Sequence, residues 1–184
     1  MKQILVGITG ASGSIYGIRL LQALQQQNIS VHLIFSSAAK EILSYETDEH
    51  LENIMKLADK TYDNADLFAG PASGSFPLDA MIIAPCSMKT LASIAHGYAN
   101  TLITRSASCM LKEKKPLIVV PRETPIDLSG LRNMVALSEA GGTILPAAPG
   151  FYHRPTNISD LIDFIVGKIL DQLCIPHQLY RRWK

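Results

Sequence analysis

The chain has 184 residues, 47% hydrophobic and 18% charged, with a formal net charge of +1. That length suits one domain over residues 1–184, large enough to bury roughly 70% of the surface its unfolded chain exposes. The near-neutral charge excludes an electrostatic footprint for nucleic acid or an anionic membrane. Cys86, Cys109 and Cys174 are odd in number and lack CxxC spacing, which argues against a disulfide framework or a metal site and suits a reducing cytoplasm.

Residues 3–8 form a compact apolar run, broken by Thr9-Gly10-Ala11-Ser12-Gly13, and read as a buried strand. The run is too short to span a membrane and lacks the pattern of a secretion signal, so the chain begins as a mature cytoplasmic protein would. From 14 to 27 the spacing of Ile15, Ile18, Leu21 and Leu24 marks a helix face. A second strand is expected at 30–35, then helical stretches through Tyr45 and from about 48 to 58. Strand pattern returns at 79–84, apolar on both faces as in parallel sheets. Helices follow at 87–95 and 102–113, a strand at 116–120, a helix at 131–140, a strand at 143–145 and a long helix at about 158–173. Alternating strands and helices predict an α/β fold, a doubly wound parallel sheet with right-handed crossovers in a Rossmann-like three-layer arrangement. The loops 69–77 and 146–155, rich in Gly and Pro, are expected at strand ends where such folds bind ligands.

Gly7-Ile8-Thr9-Gly10-Ala11-Ser12-Gly13-Ser14 joins the first strand to the first helix. A strand, a glycine turn and a helix N-terminus make an anion site, because free N–H groups and the positive helix end face the ligand. No GK[ST] follows, and the second strand ends Phe35-Ser36-Ser37, with a hydroxyl where a dinucleotide site wants a carboxylate. A mononucleotide fits better than NAD. The strand at 79–84 ends in Pro85-Cys86-Ser87-Met88-Lys89-Thr90, where Ser87 and Thr90 could bond a phosphate or a ring edge, or Ser87 could be a plain helix cap. Cys86 reads as a buried small hydrophobe. His32, His50, His96 and His177 show no metal spacing and read as structural.

Arg105 and Lys112 lie two turns apart on one helix face, though each alone reads as a solvated charge. Arg122 follows a strand between Pro121 and Pro125 and looks placed. Tyr152, in the stiff loop Pro149 to Pro155, could bond a phosphate or simply pack. Lys168 sits at the edge of an apolar helix face, where a snorkelling role is usual. Arg181-Arg182-Trp183 would normally be a frayed tail.

Taken together, Gly7-x-Thr9-Gly10-Ala11-Ser12-Gly13, Glu46-Thr47-Asp48, Ala72-Ser73-Gly74-Ser75, Pro85 to Leu91, Leu111-Lys112-Glu113, Pro121-Arg122-Glu123-Thr124-Pro125 and Gly150-Phe151-Tyr152-His153 resemble the UbiX-type flavin prenyltransferases, formerly described as aromatic-acid or 3-polyprenyl-4-hydroxybenzoate decarboxylases. The match runs in order along nearly the whole chain to Arg182-Trp183. The resemblance implies a metal-independent transfer of a dimethylallyl group from dimethylallyl monophosphate to N5 and then C6 of reduced flavin mononucleotide (FMN). The product would serve a separate UbiD-type decarboxylase, as in ubiquinone biosynthesis. It also implies that Gly10, Ala11, Ser12, Ser36, Ser87, Met88, Lys89, Thr90 and Arg122 hold the flavin. Tyr152, Lys168, Arg105 and Lys112, with Glu123, would hold the substrate phosphate, and Trp183 would close the site from a neighbouring subunit of a dodecamer. Glu46, Glu123 and Ser12 are the implied catalytic residues.

Two departures from the family pattern are present. Lys168 stands where many members have arginine, replacing a bidentate clamp by a point charge, and Ser129-Gly130-Leu131 replaces a more usual Ile-His-Leu. A cysteine decarboxylase of the same fold is the rival reading, disfavoured because its Pro-Ala-Ser-Ala-Asn-Thr motif is here Pro85-Cys86-Ser87-Met88-Lys89-Thr90. A non-catalytic flavin carrier would need the glycine loop but not the second set of cations or the two carboxylates.

Overall fold

A computed structural model describes residues 1–27 and 29–183. Six strands, β1 (Lys2–Ile8), β2 (Ile29–Phe35), β3 (Lys60–Asp63), β4 (Ala80–Cys86), β5 (Leu117–Pro121) and β6 (Thr143–Ile144), alternate with helices α1 (Ser14–Gln25), α2 (Ser37–Glu46), α3 (Leu51–Met55), α4 (Met88–Ala95), α5 (Leu102–Lys112), α6 (Leu128–Glu139) and α7 (Ile158–Gln172). All strand pairs are parallel, in the order β3-β2-β1-β4-β5-β6. A sheet of this kind is stable only with both faces covered, and alternation along β1 shows how. Ile4, Val6 and Ile8 pack with Ile18, Leu21 and Leu24 of α1 and Ile165 and Ile169 of α7. Leu5, between them, points to the opposite face with Met81, Leu91, Ile103 and Met110.

The expected doubly wound α/β architecture holds, with one strand more than the five expected. Residues 48–58 were expected to be helical throughout, yet α3 is short, and β3 follows it as an edge strand. Lys60-Thr61-Tyr62-Asp63 pairs with β2 alone and has both ends exposed. An edge strand solvated on one side carries little apolar pattern, which is why periodicity misses it. Polar contacts tie it in: Tyr62 Oη meets His32 Nδ1 at 2.8 Å, and His32 Nε2 meets Gln3 Oε1 at 3.2 Å, running across β3, β2 and β1.

The sheet opens at its topological switch point. Pairing between β1 and β4 ends at Gly7 and Ile83, and the β4–β5 register shifts between Ile83 and Cys86. Thr9 spans the gap, donating from its N–H and its Oγ1 to the Pro85 carbonyl at 3.2 and 3.0 Å. The Ser87 N–H in turn donates to Thr9 Oγ1 at 2.8 Å. Crevices beyond the carboxyl ends of parallel strands at such a point are where these folds bind ligands. Among the described residues, no helix is long and apolar enough to cross a membrane.

Candidate active site

The glycine turn folds differently from the expected open anion site. Gly13 adopts φ +104°, a left-handed conformation that favours glycine. It caps α1 with no side-chain bond of its own, so the first N–H groups of the helix need an acceptor. Glu46, the last residue of α2, supplies it. Its Oε2 accepts from Gly13 N–H at 2.9 Å and from Ser14 N–H at 3.0 Å, and its Oε1 approaches Gly13 N–H at 3.1 Å. Partial burial pushes its carboxyl pKa up, but hydrogen bonding from the Ser12 hydroxyl and the Gly13 and Ser14 N–H groups outweighs this and holds it below the ordinary value. Glu46 is therefore a carboxylate at neutral pH.

With α1 closed, the open anion sites lie at two other helices. A cavity of about 420 Å³ is lined by Gly10, Ser36, Ser37, Ala38, Ser87, Lys89 and Thr90, among others. Ser36 caps α2 by accepting from Ala39 N–H at 3.1 Å, and Ser87 caps α4 by accepting from Thr90 N–H at 3.2 Å. Neither cap uses the first two helical N–H groups, and among the described residues those of Ser37, Ala38, Met88 and Lys89 have no partner. Two helix N-termini thus converge on one cavity, a strong setting for a phosphate. Gly10 is required here: a Cβ at its position would lie 2.6 Å from the Ala38 methyl, so the turn and α2 touch only because it is glycine.

A second cavity of about 430 Å³ shares Gly10 and Ser87 with the first and adds Ala11, Ser12, Tyr45, Glu46, Met88, Arg122 and Glu123. The two form one cleft with a polar end at α2 and α4 and a broader end flanked by carboxylates. Arg122 frames that end, donating from Nε to the Ser12 carbonyl at 2.8 Å. Glu123 Oε1 accepts from Thr124 N–H at 3.1 Å and faces the same space. All nine residues expected to hold flavin therefore line this cleft. A phosphate at the paired helix ends and a planar ring at the broad end suit its shape. Cys86 is fully buried, and burial pushes its thiol far up, so it is no nucleophile.

The other expected residues lie elsewhere in the chain. Tyr152 packs edge-on against Trp183, ring centroids 5.4 Å apart, and both line a separate cavity of about 370 Å³ with Arg154, Arg181 and Arg182. The tail is not frayed: Arg182 donates to Asp171 Oδ1 at 2.7 Å. Lys168 Nζ stands 4.0 Å from Asp171 Oδ2. Arg105 donates from Nε to the Ala72 carbonyl at 2.9 Å, and Lys112 pairs with Glu113 at 3.3 Å against the 69–77 loop. That loop was expected at the ligand-binding end, but it runs to the start of β4, where Asp79 N–H donates to the Gln3 carbonyl, and lines neither half of the cleft.

The separation has a scale. Lys2, at the start of β1, donates from Nζ to the Leu173 carbonyl just past α7, whereas the cleft lies beyond the other end of that seven-residue strand. Such a strand is roughly 20 Å long, and Lys168 is only about 7 Å back along the axis from Leu173. Within one chain, Tyr152, Lys168 and Trp183 line neither half of the cleft. Tyr45, Ile42 and Asn64 line the cleft without having been expected there. Ile42 and Tyr45 lie on the Glu46 face of α2, a spacing that could have found them. Asn64 gave no signal beyond its cap on α5, where its Oδ1 accepts from Ile103 N–H at 3.0 Å.

The Flavoprotein family model matches residues 1–170. The flavin prenyltransferase UbiX of Methanothermobacter thermautotrophicus is 48% identical over 183 residues, covering 100% of this chain and 96% of its own. A crystal structure of AnUbiX (PadA1) in complex with FMN and dimethylallyl pyrophosphate superposes with a TM-score of 0.98 at 44% identity, covering 100% of this chain and 97% of that one. The dodecameric FMN-dependent UbiX-like decarboxylase from Escherichia coli O157:H7 superposes with a TM-score of 0.97 at 43% identity, covering 99% of each chain.

Proposed function

We infer that this chain, which belongs to the UbiX-type flavin prenyltransferases of the Flavoprotein family, joins a dimethylallyl group to reduced FMN and so makes the prenylated flavin of a UbiD-type decarboxylase. The observation that carries this reading is the cleft at the β1–β4 switch point, with two open helix N-termini at one end and Glu46, Arg122 and Glu123 at the other. Reduced FMN supplies N5 and C6, the two atoms that take the five-carbon unit.

The protein's own groups do the rest. The N–H groups of Ser37, Ala38, Met88 and Lys89 hold the flavin phosphate, with Ser36, Ser87 and Thr90 shaping the pocket around it. Gly10, Ala11, Ser12 and Arg122 frame the ring. Tyr152, Lys168, Arg105 and Lys112 hold the phosphate of dimethylallyl monophosphate and stabilise the charge it gains as the allylic C–O bond breaks. The faces of Tyr152 and Trp183 stabilise the cation-like prenyl carbon by about 0.5–2 kcal/mol. Glu46, Glu123 or the released phosphate takes the C6 proton; Glu46 is ionised and so able to accept it, though its lowered pKa makes it a weaker base than an ordinary carboxylate.

Because Tyr152, Lys168 and Trp183 line neither half of the cleft within one chain, assembly would complete the site, in keeping with the dodecamer formed by the Escherichia coli relative. We take residues 1–184 as one flavin-binding domain, since α7 and the tail pack on α1 and share its core. The unpaired cysteines suit the cytoplasm as its location. The test is an anaerobic incubation with reduced FMN and dimethylallyl monophosphate, followed by mass spectrometry of the extracted flavin. A flavin heavier by one five-carbon unit is expected; unmodified FMN would defeat the reading.

A further inference from the structure

The geometry points to Asp171 as a positioning residue: it fastens the C-terminal segment to α7 and so sets Trp183 against Tyr152, while Lys168 on the same helix faces the same carboxylate. This rests on the reading above, in which Tyr152, Lys168 and Trp183 receive the prenyl phosphate. After α7 the chain turns back along the helix instead of running into solvent. Asp171, in the last turn of α7, gathers it at several points. Oδ1 accepts from His177 Nε2 at 3.0 Å and from an Arg182 Nη at 2.7 Å; Oδ2 accepts from Tyr180 Oη at 2.5 Å. The Leu179 N–H donates to His177 Nδ1 at 3.2 Å, which leaves the proton on Nε2 and aims it at Asp171. Gly167 completes the seat, since a Cβ there would lie 2.6 Å from the Tyr180 ring and 2.7 Å from His177.

The groups that follow from the seat lie close to it in sequence or through one ring. Trp183 adjoins Arg182 in sequence and meets Tyr152 edge-on at an interplanar angle of 88°. Tyr152 in turn packs edge-on against Phe164 of α7, 5.6 Å between centroids. Lys168, three residues before Asp171 on the same helix, is drawn toward the same carboxylate while keeping part of its side chain exposed. One carboxylate thus holds the tail that carries Trp183 and faces the Lys168 ammonium as well. Burial pushes the Asp171 carboxyl up, but the bonds from Arg182, Tyr180 and His177 outweigh it and hold its pKa down at about 2, so the acceptor stays charged at working pH.

Trp183 is the only tryptophan of the chain, so its fluorescence anisotropy reads the seat directly. In the assembled full-length protein, Asp171→Ala should enlarge the nanosecond component of Trp183 motion at least about twofold. It should lower kcat/KM for dimethylallyl monophosphate about tenfold, with FMN affinity unchanged. Asp171→Asn, which keeps an acceptor, should recover part of both effects, and Tyr180→Phe should show a smaller form of both. These two variants carry the test if Asp171→Ala fails to fold. Unchanged Trp183 motion would overturn the proposal, as would altered motion with an unaltered kcat/KM. Should the wild-type protein prenylate nothing, the functional reading fails, while the anisotropy still decides whether Asp171 seats Trp183.

Discussion

Glu46 is the residue where the largest number of physical constraints meet. It ends α2, closes the N-terminus of α1 through Gly13 and Ser14, and borders the broad end of the cleft. A carboxylate at a helix N-terminus is favoured by the macrodipole as well as by the N–H groups it accepts. Because its folded pKa is depressed, this interaction is present above the ordinary carboxylate pKa and is lost as pH falls through the folded value. Glu46→Gln keeps the shape and one acceptor oxygen but removes the charge and the base. The expectation is flavin binding retained with product formation slowed by roughly 100-fold or more, read by flavin titration alongside product mass. Turnover at the wild-type rate would take Glu46 out of the chemistry.

At the scale of elements, the approach of α1 to β4 decides whether the crevice keeps its shape. Gly17 of α1 lies so close to the sheet that a Cβ would stand 2.4 Å from the Ala84 carbonyl oxygen and 2.7 Å from Ile8 Cδ1. The carbonyl belongs to backbone and cannot swing away. Gly17→Ala gains helix propensity yet should destabilise the fold by about 1–3 kcal/mol through overpacking, measured by denaturant unfolding. A more stable variant would show that α1 has room to move.

The buried elements were legible because β1 and β4 and the broad apolar face of α7 carry unbroken hydrophobic patterns. β3 was not, because an edge strand written Lys60-Thr61-Tyr62-Asp63 owes its place to backbone pairing and to Tyr62. The same limit explains the anion site. Sequence marks a glycine turn before a helix, but only tertiary contact reveals that Glu46, over 30 positions away, fills it, while the N-termini of α2 and α4 border the cleft. The Asp171 seat is invisible for the same reason, since a tail of mixed polar residues has no period to read.

For the whole molecule, the decisive fact is that the Glu46–Arg122 cleft and the patch of Tyr152, Arg182 and Trp183 share no lining residue within one chain. On the proposed reading, the cleft alone would describe a carrier, and the second, cationic and aromatic patch would make a transferase when another copy delivers it. Symmetric assembly from heterologous contacts does this naturally, placing different surfaces of neighbouring chains face to face. Co-expressing Glu46→Gln chains with Lys168→Ala chains tests the idea directly, because each chain then carries one damaged half. The account predicts that either variant alone forms almost no prenylated flavin, while the mixed assembly regains about a quarter of wild-type activity, from sites that draw both intact halves. A mixed assembly as inactive as its parents would mean that each chain builds its site alone, against the separation described above.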